Sequence, residues 1–200
     1  MRELLIGRDF FGIHPWDAEE ADYDEALSTL EYLLKNSAGV GVGEIGLDRL
    51  KDREISPKMR RLFIAQLELA AKYNLPVALH GAKCWGEVVK EVSEMRKRYP
   101  DWRKPALFHG FSRSGGLIPV IVRLNGYISV GPAIINDHAV NYRELVKTIP
   151  RERLLIETDR DAEGGYRICE VAEKLAEMLK IDIGELERLT DENARKLGPT

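Results

Sequence analysis

The stretch LPVALH, residues 75–80, is an apolar run that ends on a histidine, and three other runs share its form. They are VGVGEIG (40–46), PALFH (105–109) and RLLIETD (153–159). Each run is typical of a buried strand, and the metal-binding side chains at or near the carboxyl ends are Glu44, His80, His109 and Asp159. In a parallel α/β barrel the carboxyl ends of the strands converge on one face, where the chemistry is done. The four runs therefore predict a barrel-like sheet with a shared site at one end.

Strands and helices alternate along the rest of the chain. Helices are predicted over 17–36, from Ser56-Pro57 to about Tyr73, and over 85–99, 115–124, 139–148 and 167–197, the last split near 181–184. Strands are predicted in DFFGIHPW and over 40–46, 77–80, 105–110, 126–131 and 153–158, with Leu4–Ile6 as a doubtful seventh. Apolar strands that alternate with helices indicate a parallel sheet covered by helices. We predict an α/β, TIM-barrel-like fold of six to seven parallel strands, in one domain spanning residues 1–200.

The composition is that of an ordinary globular protein, with 44% hydrophobic residues, 32% charged residues and a net charge of −3. The absence of a basic tract argues against a wide, sequence-independent nucleic-acid surface. It does not argue against a small phosphate-binding cleft, because a bound metal ion can supply positive charge. Cys84 and Cys169 form no CxxC pair, and no apolar run approaches the roughly 20 residues that span a bilayer. The N-terminal MRELLIGRDFFG lacks the apolar core of a signal peptide, so we expect a cytoplasmic protein with no membrane partner.

The four strand-end side chains together predict a metal-assisted hydrolytic site. Imidazole and carboxylate groups bind divalent ions such as zinc or manganese, and a second carboxylate can hold or deprotonate a water. A single histidine at a strand end is more often structural, or a solvated polar cap. Four such residues on separate strand–helix junctions favour a shared functional site. Gly43 and Gly46 flank Glu44, which permits either close backbone packing or simple turn chemistry there.

Weaker polar candidates lie close to these motifs in the sequence. His14 stands at a predicted strand end, where it either contacts a substrate phosphate and lines the pocket or caps its loop. Asp48, Lys83, Ser112 and Arg113 are candidates to enter the cleft, and Arg113 could pair with a phosphate oxygen. Among these residues we expect His14, Lys83 and Arg113 to bind substrate.

The sequence makes simpler predictions for two tryptophans and one further histidine. Trp16 and Trp85 adjoin the predicted site loops, where an aromatic ring can stack on a base, although packing under the loop is the commoner role. His138 belongs to the loop IINDHAV and is expected at the surface.

Several of these segments resemble the motifs of TatD family metal-dependent hydrolases, in the amidohydrolase-like TIM-barrel superfamily. The matching segments are GIHPW (12–16), GEIGLD (43–48), FIAQLEL (63–69), LHGAKCW (79–85), FHGFSRS (108–114), IETD (156–159) and Asn193-Ala194. The resemblance spans residues 10–197, and GEIGLD is its most specific single motif. It implies a TIM barrel that hydrolyses DNA phosphodiester bonds with a metal-activated water.

The resemblance also implies roles for the four strand-end residues. Glu44 would bridge two metal ions, and His80 and His109 would complete the ligands of one of them. Asp159 would bind the other ion and help to activate water, which makes Glu44 and Asp159 the expected catalytic residues. These roles come from the matched motifs and await the geometry of the site.

One family feature is missing from this sequence. The first strand of the family normally supplies an HxH pair for the second ion, and no histidine precedes His14. We therefore expect one divalent ion per chain (zinc, manganese or magnesium) on Glu44, His80 and His109, with Asp159 as base or weak ligand. The alternatives are a degenerate, weakly active or inactive protein with a binding or assembly role, or a hydrolase of esters or amides. Six or seven strands leave barrel edges to be covered by terminal helices, by another segment or by a second copy in a homodimer.

Overall fold

The structure is a computed structural model that describes residues 10–38, 40–50, 53–112, 114–136, 138–158 and 168–198. Its strands are β1 (Phe10–Phe11), β2 (Gly41–Asp48), β3 (Val77–Ala82), β4 (Ala106–Phe108), β5 (Gly126–Val130) and β6 (Leu154–Ile156). Its α-helices are α1 (Tyr23–Asn36), α2 (Pro57–Lys72), α3 (Trp85–Arg98), α4 (Ile118–Arg123), α5 (Val140–Lys147), α6 (Ile168–Leu179) and α7 (Ile183–Leu197). None of these helices is both long enough and apolar enough to cross a lipid bilayer.

The six strands form one sheet whose spatial order equals the chain order, from β1 to β6. Every neighbouring pair is parallel. Consecutive winding of this kind carries each crossover helix to the same side of the sheet and gives the curved sheet of a TIM-like barrel, here open. The predicted fold class and the six clear strands are therefore confirmed. The doubtful strand at Leu4–Ile6 lies outside the described residues.

Two predicted boundaries near the N-terminus are wrong. The helix predicted over 17–36 begins only at Tyr23, because Pro15–Asp17 form a separate 3-10 turn. Asp22 then caps α1 by accepting hydrogen bonds from two backbone N–H groups of its first turn. The strand predicted in DFFGIHPW pairs with β2 only at Phe10–Phe11.

The other boundaries lie close to the predicted ones. Ser56 caps α2 and Pro57 occupies its first turn, and the two terminal helices divide where the sequence predicts. The helix predicted over 115–124 starts as a 3-10 turn and continues as α4. Strand β2 extends to Asp48, so Glu44 lies inside the strand rather than near its end.

Side-chain alternation gives the sheet two different faces. The outer face packs under the helices through buried apolar residues such as Leu79, Phe108 and Ile128. The inner face carries a smaller buried cluster of Phe10, Ala78, Leu107, Tyr127, Leu155, Ala194 and Leu197. Two positions after the inner apolar residues of β3 to β6 come His80, His109, Ser129 and Glu157. Because side chains two apart in a strand share a face, these polar groups gather above the inner cluster, at the carboxyl ends of the strands.

The terminal helix α7 covers the apolar part of the inner face, below the polar groups at the carboxyl ends of the strands. Its residues Ala194 and Leu197 belong to the inner cluster. The buried amide of Asn193 donates hydrogen bonds to the backbone oxygens of Arg151 and Leu154, at 2.8 and 2.9 Å. These bonds fix α7 against β6, the edge strand, so a terminal helix is one of the covers that the open barrel requires. A homodimer that covers the remaining edge stays a prediction.

Candidate metal-binding active site

A shift in strand register turns Glu44 toward the inner face. Val42 lies opposite Val77 and Ile45 lies opposite Leu79, so β2 has one more residue than β3 over this interval. Both Val42 and Ile45 point into the main core. An extra residue of this kind re-aims the side chains beside it, and here it lets a carboxylate enter the inner face between two core positions.

Gly46 permits the close approach of β2 to β3 beside His80. The two residues are opposite each other, and a Cβ at Gly46 would stand 2.0 Å from the backbone oxygen of His80. The imidazole lies between two carboxylates, with Nδ1 2.9 Å from Glu44 Oε1 and Nε2 2.8 Å from Asp48 Oδ2. Asp48 is buried, and its Oδ2 also accepts a hydrogen bond of 2.7 Å from Trp16 Nε1. The motif GEIGLD thus supplies both carboxylates that hold this ring and the glycine between them.

His109 directly follows β4 and is held by Glu157, which directly follows β6. Its Nδ1 lies 2.6 Å from Glu157 Oε2, and the same carboxylate accepts the N–H of Gly110 at 2.8 Å and the hydroxyl of Ser129. A carboxylate can only accept, so the neutral imidazole carries its proton on Nδ1 and presents the lone pair of Nε2. That Nε2 lies 3.4 Å from Glu44 Oε1.

Glu44 Oε1 is the point at which both histidines converge. Each imidazole has one nitrogen at this oxygen and the other nitrogen on an outer carboxylate, Asp48 for His80 and Glu157 for His109. In protein metal sites, a ligating histidine usually gives its second nitrogen to such a carboxylate, which fixes the orientation of the ring. Glu44 and the two imidazoles are therefore candidate ligands of a divalent ion.

His14 approaches the same centre from the segment after β1. Gln66 of α2 fixes this segment, because its amide accepts from the N–H of Ile13 at 2.7 Å and donates to the Ile13 oxygen at 3.1 Å. The His14 ring meets the His80 ring edge to face, with 4.7 Å between their centroids. Ligand atoms of His14, Glu44 and His80 all lie within 4.8 Å of one another, so these three residues form a second possible ligand set.

The protonation of His14 follows from its local contacts. Nδ1 accepts a hydrogen bond of 3.2 Å from the backbone N–H of Trp16. Burial lowers the pKa of His14 and the neighbouring His80 lowers it further, which favours the neutral ring. A neutral imidazole that accepts at Nδ1 carries its proton on Nε2. In this state His14 is a hydrogen-bond donor rather than a ligand, and it also caps its own 3-10 turn.

The charges of the site shift the pKa values of its other members. Burial acts to lower the pKa of His80, but the hydrogen bonds and charges of Glu44 and Asp48 outweigh it and raise this pKa above 6.5. Burial acts to raise the pKa of Glu44, and the His80 hydrogen bond and the His109 charge outweigh it and lower this pKa. The pKa of Asp48 is lowered against burial by hydrogen bonds from Trp16 and other donors. Without a metal ion, the two carboxylates therefore favour the protonated form of His80.

The structure brings three of the predicted ligands, Glu44, His80 and His109, to one point. Asp48, a weaker candidate in the sequence, lies buried beside His80. Asp159 lies outside the described residues, so its place in the site stays a prediction.

The remaining candidates are more dispersed. Lys83 is exposed just after β3, Ser112 is half-buried, and Arg113 lies outside the described residues. His138 is exposed, as predicted. Trp85 is buried with its ring against the rings of Phe108 and Phe111, which confirms packing as its role; Trp16, in contrast, is exposed and hydrogen-bonds into the site. Packing under the loop was the wrong expectation for that tryptophan.

Sequence reasoning missed Glu157 and Ser129. Glu157 stands in the quoted motif IETD, but attention falls on Asp159 because the resemblance assigns that residue a ligand role. A signal was present, since Glu157 follows the inner-facing Leu155 by two positions, as His109 follows Leu107. Ser129 has the same relation to Tyr127 and offered no motif of its own.

An open, barrel-like parallel sheet with histidines and carboxylates at the carboxyl ends of its strands defines a metal-dependent hydrolase of the TIM-barrel kind. The chain belongs to the family described as TatD related DNase, which matches residues 8–198. It is 30% identical to the Bacillus subtilis metal-dependent hydrolase YabD, covering 98% of this chain and 80% of that protein. It is also 30% identical to the 3'-5' ssDNA/RNA exonuclease TatD of Edwardsiella piscicida, covering 93% and 75% of the two chains.

A solved structure supports the same assignment. The TatD homologue YjjV of Escherichia coli superposes with a TM-score of 0.83 and 28% identity, over 95% of this chain and 76% of that one. The chain is thus a TatD family metal-dependent hydrolase by sequence and by fold.

Proposed function

We propose that this protein hydrolyses phosphodiester bonds of DNA with one divalent ion held by Glu44, His80 and His109. The observation that carries the proposal is the convergence of both imidazoles on Glu44 Oε1, each oriented from behind by its own carboxylate. The naming of a relative as a 3'-5' ssDNA/RNA exonuclease supports a nucleic-acid substrate.

The distances from Glu44 to the two histidines suit an ion of zinc or manganese size. Ligands bonded to zinc at about 2.1 Å in tetrahedral geometry stand about 3.4 Å from one another. Glu44 Oε1 lies 2.9 Å from His80 Nδ1 and 3.4 Å from His109 Nε2, near that spacing, and the two imidazole nitrogens must move toward each other to share one ion. Three protein ligands leave room for water or substrate, as in catalytic sites.

The charge of the site also favours a bound cation. Glu44, Asp48 and Glu157 are three carboxylates, buried or partly buried, around two imidazoles, and they repel a phosphodiester unless further positive charge offsets them. When bound, a divalent ion supplies Lewis acidity toward a phosphoryl oxygen and toward an attacking water. Zinc, manganese and magnesium all suit the donor set, and the convergence of both histidines on one carboxylate oxygen favours a single ion.

The side chains around the ion have distinct proposed roles. His14 donates from Nε2 to a phosphate oxygen, as its tautomer allows. Asp159 accepts the proton of the attacking water, and Glu44 is the carboxylate ligand of the ion. Lys83 and Arg113 are proposed to contact the flanking phosphates. The converging histidines and their orienting carboxylates favour a hydrolase over a degenerate binding protein, and the relative named as an exonuclease favours a phosphodiester over an ester or amide substrate.

The test combines metal content with hydrolysis of a single-stranded oligodeoxynucleotide. Wild type is expected to bind about one ion per chain and to cleave the oligonucleotide with zinc, manganese or magnesium. Glu44→Gln and His109→Ala are expected to lose the ion and at least about 100-fold in rate. His138→Ala is the matched control, because His138 is an exposed histidine between β5 and α5 and is not one of the proposed ligands. An ion bound without cleavage of oligonucleotides, esters or amides would support the degenerate alternative, and unchanged metal content in both variants would refute the ligand set.

A further inference from the structure

Trp16 differs from the other two tryptophans of the chain in its exposure. It is 53% exposed, whereas Trp85 and Trp102 are 5% and 2% exposed. Isolated exposed apolar side chains are common on proteins. The position of this one is what distinguishes it, because it lies in the 3-10 turn that follows His14, beside the candidate active site.

Two contacts hold the indole in a defined orientation. Its Nε1 donates a hydrogen bond of 2.7 Å to Asp48 Oδ2, the atom that also lies 2.8 Å from His80 Nε2. The imidazole of His14 meets the indole edge to face, with 4.9 Å between the centroids and 84° between the planes. Asp48 Oδ2 therefore contacts both the exposed indole of Trp16 and the imidazole of His80, a proposed metal ligand.

We propose that Trp16 is a stacking platform for a nucleobase of the nucleotide whose phosphate enters the site. This inference rests on the proposed function. The polar edge of the indole is anchored inside the site while half of its surface stays in solvent, which is the arrangement that base stacking requires. In a duplex both faces of a base are covered by its neighbours, so only an unstacked base can lie on the ring.

A rival role for Trp16 is to position Asp48 and, through it, His80. Two substitutions separate the roles. Trp16→Phe keeps an aromatic face and loses the N–H, whereas Trp16→Gln keeps an N–H donor and loses the face. If Trp16 stacks on a base, Trp16→Gln is the more damaging change. If Trp16 positions Asp48, Trp16→Phe is the more damaging change.

The experiment compares a single-stranded oligodeoxynucleotide with an abasic oligonucleotide of the same length, using the metal-loaded protein. The measured quantity is kcat/KM for the base-containing strand divided by kcat/KM for the abasic strand. This ratio is expected to fall about tenfold in Trp16→Gln, chiefly through KM, and to fall less in Trp16→Phe. Tyr32→Gln is the matched control, since Tyr32 is an exposed aromatic residue on α1 outside the site. An unchanged ratio in Trp16→Gln, or a larger fall in Trp16→Phe, would overturn the inference.

A binding measurement keeps this inference separate from the proposed function. Trp85 and Trp102 are buried, so quenching of intrinsic fluorescence reports mainly on Trp16. A cleavage-resistant phosphorothioate strand is expected to quench the emission of wild type, and an abasic phosphorothioate strand is expected to quench it far less. If no substrate is cleaved, the proposed function fails while this difference still supports stacking. Equal quenching by the two strands would overturn stacking even in an active enzyme.

Discussion

Glu157 Oε2 lies 2.6 Å from His109 Nδ1, although the two residues are 48 positions apart and belong to the ends of strands that are not neighbours. Ser129, at the intervening strand β5, donates to the same oxygen, and the N–H of Gly110 donates to the other oxygen. The carboxylate thus has three donors and joins the ends of three consecutive strands. Its function in the proposed site is to fix which nitrogen of His109 carries the proton and where the other nitrogen points.

Glu157→Gln is expected to weaken metal binding about 10- to 100-fold, the usual effect of removing an orienting carboxylate. The amide has one acceptor oxygen and an NH₂ group, so it cannot accept from His109, Ser129 and Gly110 as the carboxylate does. The measurement is a zinc or manganese titration against a competing chelator. Glu144→Gln is the control, because Glu144 is exposed on α5 and pairs with Lys147. Equal affinities in the two variants would remove Glu157 from the site.

The order of the elements could be predicted from the sequence because local patterns determine it. Apolar runs such as 75–80 and 126–131 alternate with amphipathic segments, and turn and capping residues mark the boundaries between them. The boundary that failed at α1 depends on the division of the segment into a 3-10 turn capped by His14 and a helix capped by Asp22. Asp22 provides the stronger cap, with two backbone N–H groups bound, and the 3-10 turn before it had no separate signal.

The ligands of the site could be predicted, but the residues that orient them could not. His80, His109 and Glu44 occur in recognisable motifs, whereas the contact between His109 and Glu157 requires knowledge of how far the sheet curves. The inward turn of Glu44 depends on a register shift between β2 and β3, which a reading of one strand at a time does not show. The prediction for Trp16 was wrong for a similar reason. Its hydrogen-bond partner, Asp48, belongs to β2, whereas Trp16 lies in the 3-10 turn that follows His14.

The site should make the metal-free protein sensitive to pH in a defined way. The raised pKa of His80 means that its ion pairs stabilise the fold fully below pH 6.5 and are lost as pH rises through that raised pKa. The lowered pKa values of Glu44 and Asp48 mean that their stabilisation is present above 4.5 and 3.8 and is lost as pH falls through the lowered values. The lowered pKa of His14 removes stability as pH falls below 6.5, so the cluster favours the metal-free fold most near pH 6.5.

Thermal unfolding in the presence of a chelator tests this pH dependence. The melting temperature of wild type is expected to fall as pH rises above 6.5, and His80→Gln is expected to flatten that part of the curve. Metal affinity should change in the opposite direction, because a proton on His80 competes with the ion. His138→Gln serves as the control and should follow wild type. A wild-type curve that rises through this range would contradict the assigned ion pairs.

Asn193→Ala is expected to lower the free energy of unfolding by about 2–3 kcal/mol, because the backbone oxygens of Arg151 and Leu154 lose a buried donor. Urea unfolding of the metal-free protein measures the loss. Asn36→Ala is the matched control: Asn36 also donates to a backbone oxygen, that of Tyr32, but at an exposed helix end, and its loss should cost less than about 0.5 kcal/mol. Similar losses in both variants would mean that Asn193 does not fix α7 to the sheet edge.

Gly46→Ala is expected to damage both stability and metal binding. The added methyl group would stand 2.0 Å from the backbone oxygen of His80, so β2 and β3 must separate at the ring that lies between Glu44 and Asp48. Overpacking against backbone typically costs about 1–3 kcal/mol, and we expect the upper end here because a strand rather than a side chain must move. Urea unfolding and zinc titration report the two effects separately.

The control for that substitution is Gly86→Ala in the exposed first turn of α3. No atom lies within 4 Å of the methyl group it would add, and alanine is favoured over glycine in a helix by up to about 1 kcal/mol. Gly86→Ala should therefore leave metal affinity unchanged and keep or raise stability. If Gly46→Ala matched it in both measurements, the close approach of β2 and β3 would not be what places His80 between its two carboxylates.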